Sequence, residues 1–188
     1  MKCIGTKELE TERLLLRKVK VEDAPIAYSN WCSNEKVAKY TLWKKHKNVE
    51  ETIKLFKIWE EDYNDLKTFR WIVELKENHD LIGTIDSPSK KFIDFGTIEI
   101  GYCYGEKYWN KGYATEALKA VIKYLFEECD AYIIFADHLE NNPASGKVMQ
   151  KSGMIFEGKL RGRIVDKDGI RNNLLYYSIT KDEYKKGV

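Results

Sequence analysis

The sequence predicts a mixed α/β fold, in which a mostly antiparallel sheet of about seven strands has one parallel pair at its centre and helices on both faces. Two observations lead to this fold class. A strand-like run at Thr97–Tyr104 is followed by a glycine turn, an amphipathic helix from Tyr113 to Cys129 and an apolar run at Ala131–Ala136, and such a crossover helix joins parallel strands. The polar turn Asp166–Gly169 between two strand candidates predicts an antiparallel hairpin.

The other elements follow from apolar spacing and from the residues that begin and end helices. Glu22 and Asp23 supply negative charge at the start of a helix that runs to Trp31. Asn142 is the predicted N-cap of a later helix that ends at Gly153. The remaining predictions are strands at Thr11–Arg17, Phe69–Leu75, Leu81–Asp86, Ile155–Val165 and Asn172–Ile179, and a helix at Val49–Tyr63. Together they predict one domain over residues 1–188.

Composition and charge narrow the class of protein. A hydrophobic fraction of 43% with 33% charged residues is ordinary for an ordered globular chain, and a net charge of +2 gives no argument for a nucleic-acid or membrane partner. No apolar run reaches the length of a membrane span, and Met1–Glu10 lacks a signal-peptide core. The cysteines and histidines are scattered without metal-site spacing. We therefore expect a cytoplasmic, metal-free protein that is a monomer or a homodimer.

The turn between the Thr97–Tyr104 strand and the following helix carries the strongest functional signal. A helix N-terminus leaves backbone N–H groups without intrahelical partners, and the helix dipole favours an anion there. Gly112 and Ala114 are small enough for a diphosphate to approach the main chain, and Lys111 adds a positive charge. The predicted anion-binding residues are Trp109, Asn110, Lys111, Gly112, Tyr113, Ala114 and Thr115. An ordinary loop-to-helix junction without a ligand is the alternative, because a lone short motif is weak evidence.

Four segments in this order resemble the GNAT superfamily of N-acetyltransferases, and within it the branch of ribosomal-protein N-terminal acetyltransferases. They are Thr11–Arg17, Ile98–Tyr102 with Trp109–Ala117, Asn142–Ser145 running to Lys151–Met154, and Glu157–Arg161 continuing through Tyr176. The resemblance implies that the central parallel strands splay apart and that acetyl-CoA inserts between them. Gly112 and Ala114 match the acyl-CoA signature, whereas Trp109 holds its Arg or Gln position and Glu106 stands where a proline is frequent.

The resemblance also implies how the rest of the cofactor is held. Tyr102, Cys103 and Tyr104 would pair through their main chain with the pantetheine arm, and Gly101 fits because a glycine within a strand often marks a bulge or a close ligand. A structural bulge without a ligand is the alternative. Asn142 would contact CoA in addition to capping its helix.

The catalytic candidates are Glu99 as general base and Ser145 as proton donor to the leaving thiolate. A carboxylate within an apolar strand is costly unless it faces solvent, a partner or a cleft, so a solvated or ion-paired Glu99 is the alternative. The resemblance places Ser145 near the thioester sulfur, while Met149 occupies the position of a tyrosine that is frequent in other branches. The reserve candidates are Tyr176 and Glu157, and Cys103 is not expected to carry the acyl group.

The resemblance implies transfer of an acetyl group from acetyl-CoA to a primary amine by direct attack. Tyr40, Leu42 and Trp43 would line the acceptor pocket, because the first two helices and their loop cover it in this family. The acceptor stays open between a protein N-terminus, a lysine, and a small amine such as an aminoglycoside, a polyamine or an amino acid. A non-catalytic acyl-CoA sensor is a further alternative, and a nucleotide-binding domain is disfavoured by the lack of a phosphate-loop motif.

Overall fold

The computed structural model describes residues 1–187, which form nine strands and six α-helices. The strands are β1 (Leu9–Glu10), β2 (Leu14–Arg17), β3 (Arg70–Leu75), β4 (Leu81–Asp86), β5 (Thr97–Glu99), β6 (Gly101–Tyr104), β7 (Ile133–Leu139), β8 (Ile155–Val165) and β9 (Arg171–Thr180). The helices are α1 (Ala24–Ala27), α2 (Glu35–Ala38), α3 (Val49–Glu61), α4 (Tyr113–Glu127), α5 (Pro143–Lys151) and α6 (Lys181–Lys186).

The strands form two sheets that share one continuous stretch of chain. The first sheet has the order β1-β2-β3-β4-β6 and the second has the order β5-β7-β9-β8. Every pair is antiparallel except β5 with β7, which are parallel as predicted. The predicted strand Thr97–Tyr104 is divided at Ile100, so its first half belongs to the second sheet and its second half to the first sheet.

Helices cover both faces of this arrangement. The buried face of α4 packs on a large core cluster that includes Ile98, Ile100 and Ile134. Phe56 of α3 and Ala24 and Ala27 of α1 belong to a second cluster on the opposite face. The mixed fold with helices on both faces and a parallel central pair is therefore confirmed. No helix within residues 1–187 combines the length and apolarity needed to cross a bilayer.

Several predicted boundaries were wrong for local reasons. The first long strand begins at Leu14, because the hydroxyl of Thr11 turns towards Glu116 and donates to it at 2.6 Å. The helix predicted to run to Trp31 is α-helical only over Ala24–Ala27 and continues as a π-helical turn, in which the Ser33 amide donates to the Tyr28 carbonyl at 3.1 Å.

Other boundaries moved by a few residues. Helix α3 ends at Glu61 and a 3₁₀ turn follows it, and β7 begins at Ile133 because the Ala131 amide donates back to the Leu125 carbonyl at 2.9 Å. The break in the central strand lies at Ile100, one residue before the bulge that Gly101 predicted.

Candidate functional site

An opening between β6 and β7 forms the centre of the site. The Ile100 amide donates to the Phe135 carbonyl at 2.8 Å, and this is where the two strands separate. Beyond this point β6 pairs with β4, from Gly101 opposite Asp86, and β7 pairs with β9. The main chains of β6 and β7 therefore face a gap without pairing with each other. An extended ligand with amide groups fits such a gap, because it supplies the missing hydrogen-bond partners of both strands.

The turn that enters α4 lies at the end of β6. Gly112 is the residue before the helix and has a φ of 83°, and Asn110 has a φ of 60°. This backbone leaves the amides of residues 110–115 without a protein acceptor within the described part of the chain, residues 1–187. A row of free donors at the positive end of a fifteen-residue helix favours a phosphate-sized anion.

Side chains on both sides hold this turn in shape. The Trp109 indole donates to the Tyr104 carbonyl at 2.7 Å, and the Tyr108 hydroxyl donates to Asp80 at 2.8 Å. Arg13 donates to the Lys111 carbonyl at 3.1 Å and forms an ion pair with Glu116 at 2.6 Å. Trp109 thus fixes the turn with its ring nitrogen, but its own amide donates to the Glu106 carbonyl at 3.1 Å. The prediction of a free amide at Trp109 was therefore wrong, because a 3₁₀ turn over Glu106–Tyr108 takes up that donor.

The surface beside the turn is a cleft of about 380 Å³. It is lined by Gly112 and Thr115, by two cationic residues, Lys119 and Lys151, and by two acidic residues, Glu12 and Glu116, of which Glu116 is paired with Arg13. The two lysines therefore share one cleft with the start of α4. Sequence reasoning did not select these two lysines, because they are separated by 32 positions and only the packing of α4 against α5 brings them to one cleft.

On the helix side of the opening, one contact links β6 to the first turn of α5. The Tyr102 hydroxyl lies 2.9 Å from the Ser145 hydroxyl and 3.0 Å from the Ser145 carbonyl oxygen. Met149 is buried one turn further along α5. Asn142 occupies the N-cap position of α5 as predicted, but its side chain makes no capping hydrogen bond within residues 1–187. The expected side-chain cap was therefore wrong, and the side-chain amide is left for another partner.

On the opposite face, acidic side chains gather around Glu99. Glu99 is half-buried on β5, and burial, followed by the charges of Asp137 and Asp86, raises its pKa. Burial also raises the pKa of Asp137, which lies directly opposite Tyr176 in the register of β7 and β9. Arg163 on β8 lowers the pKa of Asp137 in part. A carboxyl with a raised pKa beside an opening is suited to take a proton near neutral pH.

Comparisons with known proteins agree with this geometry. A family model described as an acetyltransferase (GNAT) domain matches residues 13–155. A curated relative from Bacillus subtilis (strain 168), the uncharacterized N-acetyltransferase YoaA, is 30% identical over 175 residues, which are 92% of this chain and 96% of the relative. The chain belongs to the GNAT acetyltransferase family.

Solved GNAT structures superpose over almost the whole chain. A GNAT acetyltransferase from Bacillus anthracis has a TM-score of 0.81 at 30% identity, covering 94% of this chain and 99% of that one. A ribosomal-protein-S5-alanine acetyltransferase from Vibrio fischeri has a TM-score of 0.82 at 22% identity, covering 94% of this chain and 97% of that one, which shows the shared fold. GNAT enzymes use acetyl-CoA as co-substrate, and this chain is an acetyl-CoA-dependent acetyltransferase.

Among the other predicted residues of this GNAT chain, Cys103 is part of the packing beneath the first helices. Burial raises the pKa of the Cys103 thiol, so it stays protonated and is a poor nucleophile. Tyr104 lies on the helix side, and its hydroxyl is buried without a hydrogen-bond partner within residues 1–187. Glu157, the second-choice base, accepts a hydrogen bond from Ser178 on the neighbouring strand.

The segment predicted to line the acceptor pocket lies between α2 and α3. Leu42 is 57% exposed, Tyr40 is partly exposed, and Trp43 packs against the second core cluster with its ring 5.8 Å from that of His46. An exposed apolar side chain next to a half-buried aromatic ring is suited to contact a bound molecule. Their contact with an acceptor stays a prediction.

Proposed function

We propose that this enzyme transfers the acetyl group of acetyl-CoA directly to a primary amine inside the opening between β6 and β7, and that the acceptor is a peptide N-terminus. The observation that carries the proposal is the position of the free amides of residues 110–115 at the end of the same strand whose Glu99 borders the opening. One strand thus connects a phosphate site to a candidate base. The fold shared with an acetyltransferase of a ribosomal-protein alanine supports a peptide acceptor.

The donor half of the reaction rests on main-chain atoms. The diphosphate of acetyl-CoA would accept from the amides at the start of α4, with Lys119 and Lys151 adding positive charge beside it. The pantetheine arm would pair with the unpaired edge of β6 at Tyr102–Tyr104, and Asn142 would contact the cofactor from the start of α5. The thioester oxygen would accept from a main-chain amide near Gly101, which stabilises the charge of the transition state.

The acceptor half lies on the Glu99 face. An amine is protonated at neutral pH and must lose a proton to attack, and Glu99, whose pKa is raised, would take that proton directly or through water. The neighbouring Asp137 would attract a cationic amine before it is deprotonated, whereas Asp86 is already paired with Arg70 at 3.2 Å. Tyr40, Leu42 and Trp43 would contact the body of the acceptor, and Ser145 would assist the departing thiolate.

A free-thiol assay with a defined amine panel tests this function. The panel contains peptides that begin with Ser, Ala or Thr, the same peptides with blocked N-termini and a free lysine, spermidine, and an aminoglycoside. We expect thiol release with the free N-terminal peptides and none with the blocked ones. Turnover only with the lysine or the small amines would reject the peptide acceptor, and tight acetyl-CoA binding without any turnover would favour a sensor.

A further inference from the structure

The contact between Tyr102 and Ser145 spans the helix side of the opening. Tyr102 is the second residue after Ile100, where β6 leaves β7, and Ser145 lies in the first turn of α5. Their hydroxyl oxygens are 2.9 Å apart, which is a hydrogen-bond distance across the gap rather than along one element. A thioester lodged in the opening would therefore lie beside this pair of hydroxyls.

The direction of the hydrogen bonds decides what Ser145 can do. The Tyr102 hydroxyl lies within hydrogen-bond distance of both oxygens of Ser145: the hydroxyl at 2.9 Å, where either group can donate, and the carbonyl at 3.0 Å, which can only accept. When Tyr102 donates to Ser145, the serine's own proton is free to point elsewhere, and the opening is the adjacent space. Tyr102 is mostly buried against the core, so its ring has little freedom to leave this position.

We propose that Tyr102 is a positioning residue that directs the Ser145 hydroxyl towards the sulfur of CoA. This inference rests on the proposed function, because it assigns the group that stabilises the leaving thiolate. The deprotonated amine nitrogen forms a bond to the acetyl carbon, and the carbon–sulfur bond breaks with its electron pair staying on sulfur. The second proton that the nitrogen loses as the amide forms passes to water. The Ser145 hydroxyl donates a hydrogen bond to this thiolate until the thiolate takes a proton from water, and Tyr102 keeps its own proton throughout.

Tyr102 acts through Ser145 because Ser145 is the available hydroxyl of α5 beside the opening. Met149 is buried in α5 and has no proton to donate, so the serine is the hydroxyl of α5 nearest to β6. A hydrogen bond to a charged acceptor stabilises it more than a bond to a neutral one. The pair therefore favours the thiolate over the intact thioester, which is the condition for accelerating the reaction rather than only binding the substrate.

The ionisation of bound CoA tests the inference without any acceptor. The ultraviolet absorbance of the CoA thiolate, titrated against pH on the wild-type protein, reports the pKa of the bound thiol. We expect this pKa to be about one unit lower on the wild-type protein than on Tyr102→Phe or Ser145→Ala, the size of a hydrogen bond to a charged group. The affinity for acetyl-CoA, which carries no ionisable sulfur, should change less than about twofold in both variants.

A double-mutant comparison then separates positioning from packing. With the panel amine that gives the highest turnover, Tyr102→Phe should lower kcat about tenfold at unchanged KM for acetyl-CoA. In the Ser145→Ala background the same change should have no further effect, because Tyr102 acts through the serine. The control Tyr184→Phe removes a phenol hydrogen bond from α6 to Glu127 at the end of α4 and should leave kcat unchanged.

The possible results distinguish the positioning role of Tyr102 from the proposed function of the enzyme. Equal thiol pKa values on wild-type protein and Tyr102→Phe, or additive losses of kcat, would overturn the positioning role and leave the proposed function intact. Failure of CoA itself to bind the wild-type protein would overturn the proposed function.

Discussion

Replacing Gly112 tests the proposed diphosphate site most directly. Gly112 has a φ of 83°, a conformation that costs a residue with a side chain about 1–2 kcal/mol. Space is not the difficulty, since an added Cβ would meet only the end of the Arg13 side chain, at 3.4 Å. We therefore expect Gly112→Ala, Gly112→Gln and Gly112→Glu to lose similar stability, roughly 2–8 °C in melting temperature for a chain of this length.

The charge of the new side chain should separate the three variants by their affinity for acetyl-CoA. A carboxylate about 5 Å from a phosphate charge at an effective dielectric constant of about 20 costs about 3 kcal/mol, or about a hundredfold in affinity. Arg13 would offset only part of this cost, because it already pairs with Glu116 at 2.6 Å. The expected loss for Gly112→Glu relative to Gly112→Gln is therefore about 10- to 100-fold.

Calorimetric titration of acetyl-CoA into the three variants measures this difference. The gap between the Glu and Gln variants should narrow in high salt, because ions screen the repulsion. Gly169→Glu is the matched control, since Gly169 has a φ of 81° at the tip of the hairpin and tests backbone strain away from the turn. If Gly112→Glu binds acetyl-CoA as tightly as Gly112→Gln, the diphosphate does not lie at the start of α4.

Two further predictions concern ionisable groups. Burial and neighbouring carboxylates raise the pKa of Glu99, so its ionisation destabilises the folded state as the pH rises through that pKa. Glu99→Gln should therefore raise the melting temperature at pH 8 by about 2 °C while lowering kcat. This gain in melting temperature should vanish at acidic pH, where Glu99 is protonated in the folded and unfolded states. Burial favours the neutral form of Glu116, but hydrogen bonds from Thr11 and Arg13 outweigh this effect and lower its pKa. Glu116→Gln should therefore lower the free energy of unfolding by about 1–2 kcal/mol at neutral pH, with Glu127→Gln as the control. If thermal denaturation shows that the loss persists below pH 3, the assignment is wrong.

The parts of the site that lie close together in sequence could be predicted from it. The strand, the turn at Gly112 and helix α4 follow one another along the chain, so local spacing defines them, and the structure places the free amides at the predicted position. The parallel pairing of β5 with β7 also follows from a local rule about crossover helices.

The contacts between distant segments could not be predicted in the same way. Glu116 binds Thr11 and Arg13 across more than a hundred residues, and Ser145 meets Tyr102 across 43 residues. Such contacts depend on strand register and on the packing of α5, and neither leaves a periodic pattern in one sequence. Asn142 shows the reverse error, because a residue type typical of helix capping occupies the capping position without making the bond.

The division of the central strand at Ile100 connects the two proposed halves of the reaction. Ile98, Ile100 and Tyr102 face the cluster that packs on α4, so strand alternation places Glu99 on the opposite face. The group that would take the proton from the amine and the hydroxyls that would stabilise the thiolate therefore lie on opposite sides of one strand, with the thioester between them. Because the acceptor enters from one side and CoA leaves its sulfur on the other, no single side chain must both take the amine's proton and stabilise the thiolate. A strand that stayed paired with β7 beyond Ile100 would close the space between these groups, so the break in the sheet is itself a requirement of the chemistry.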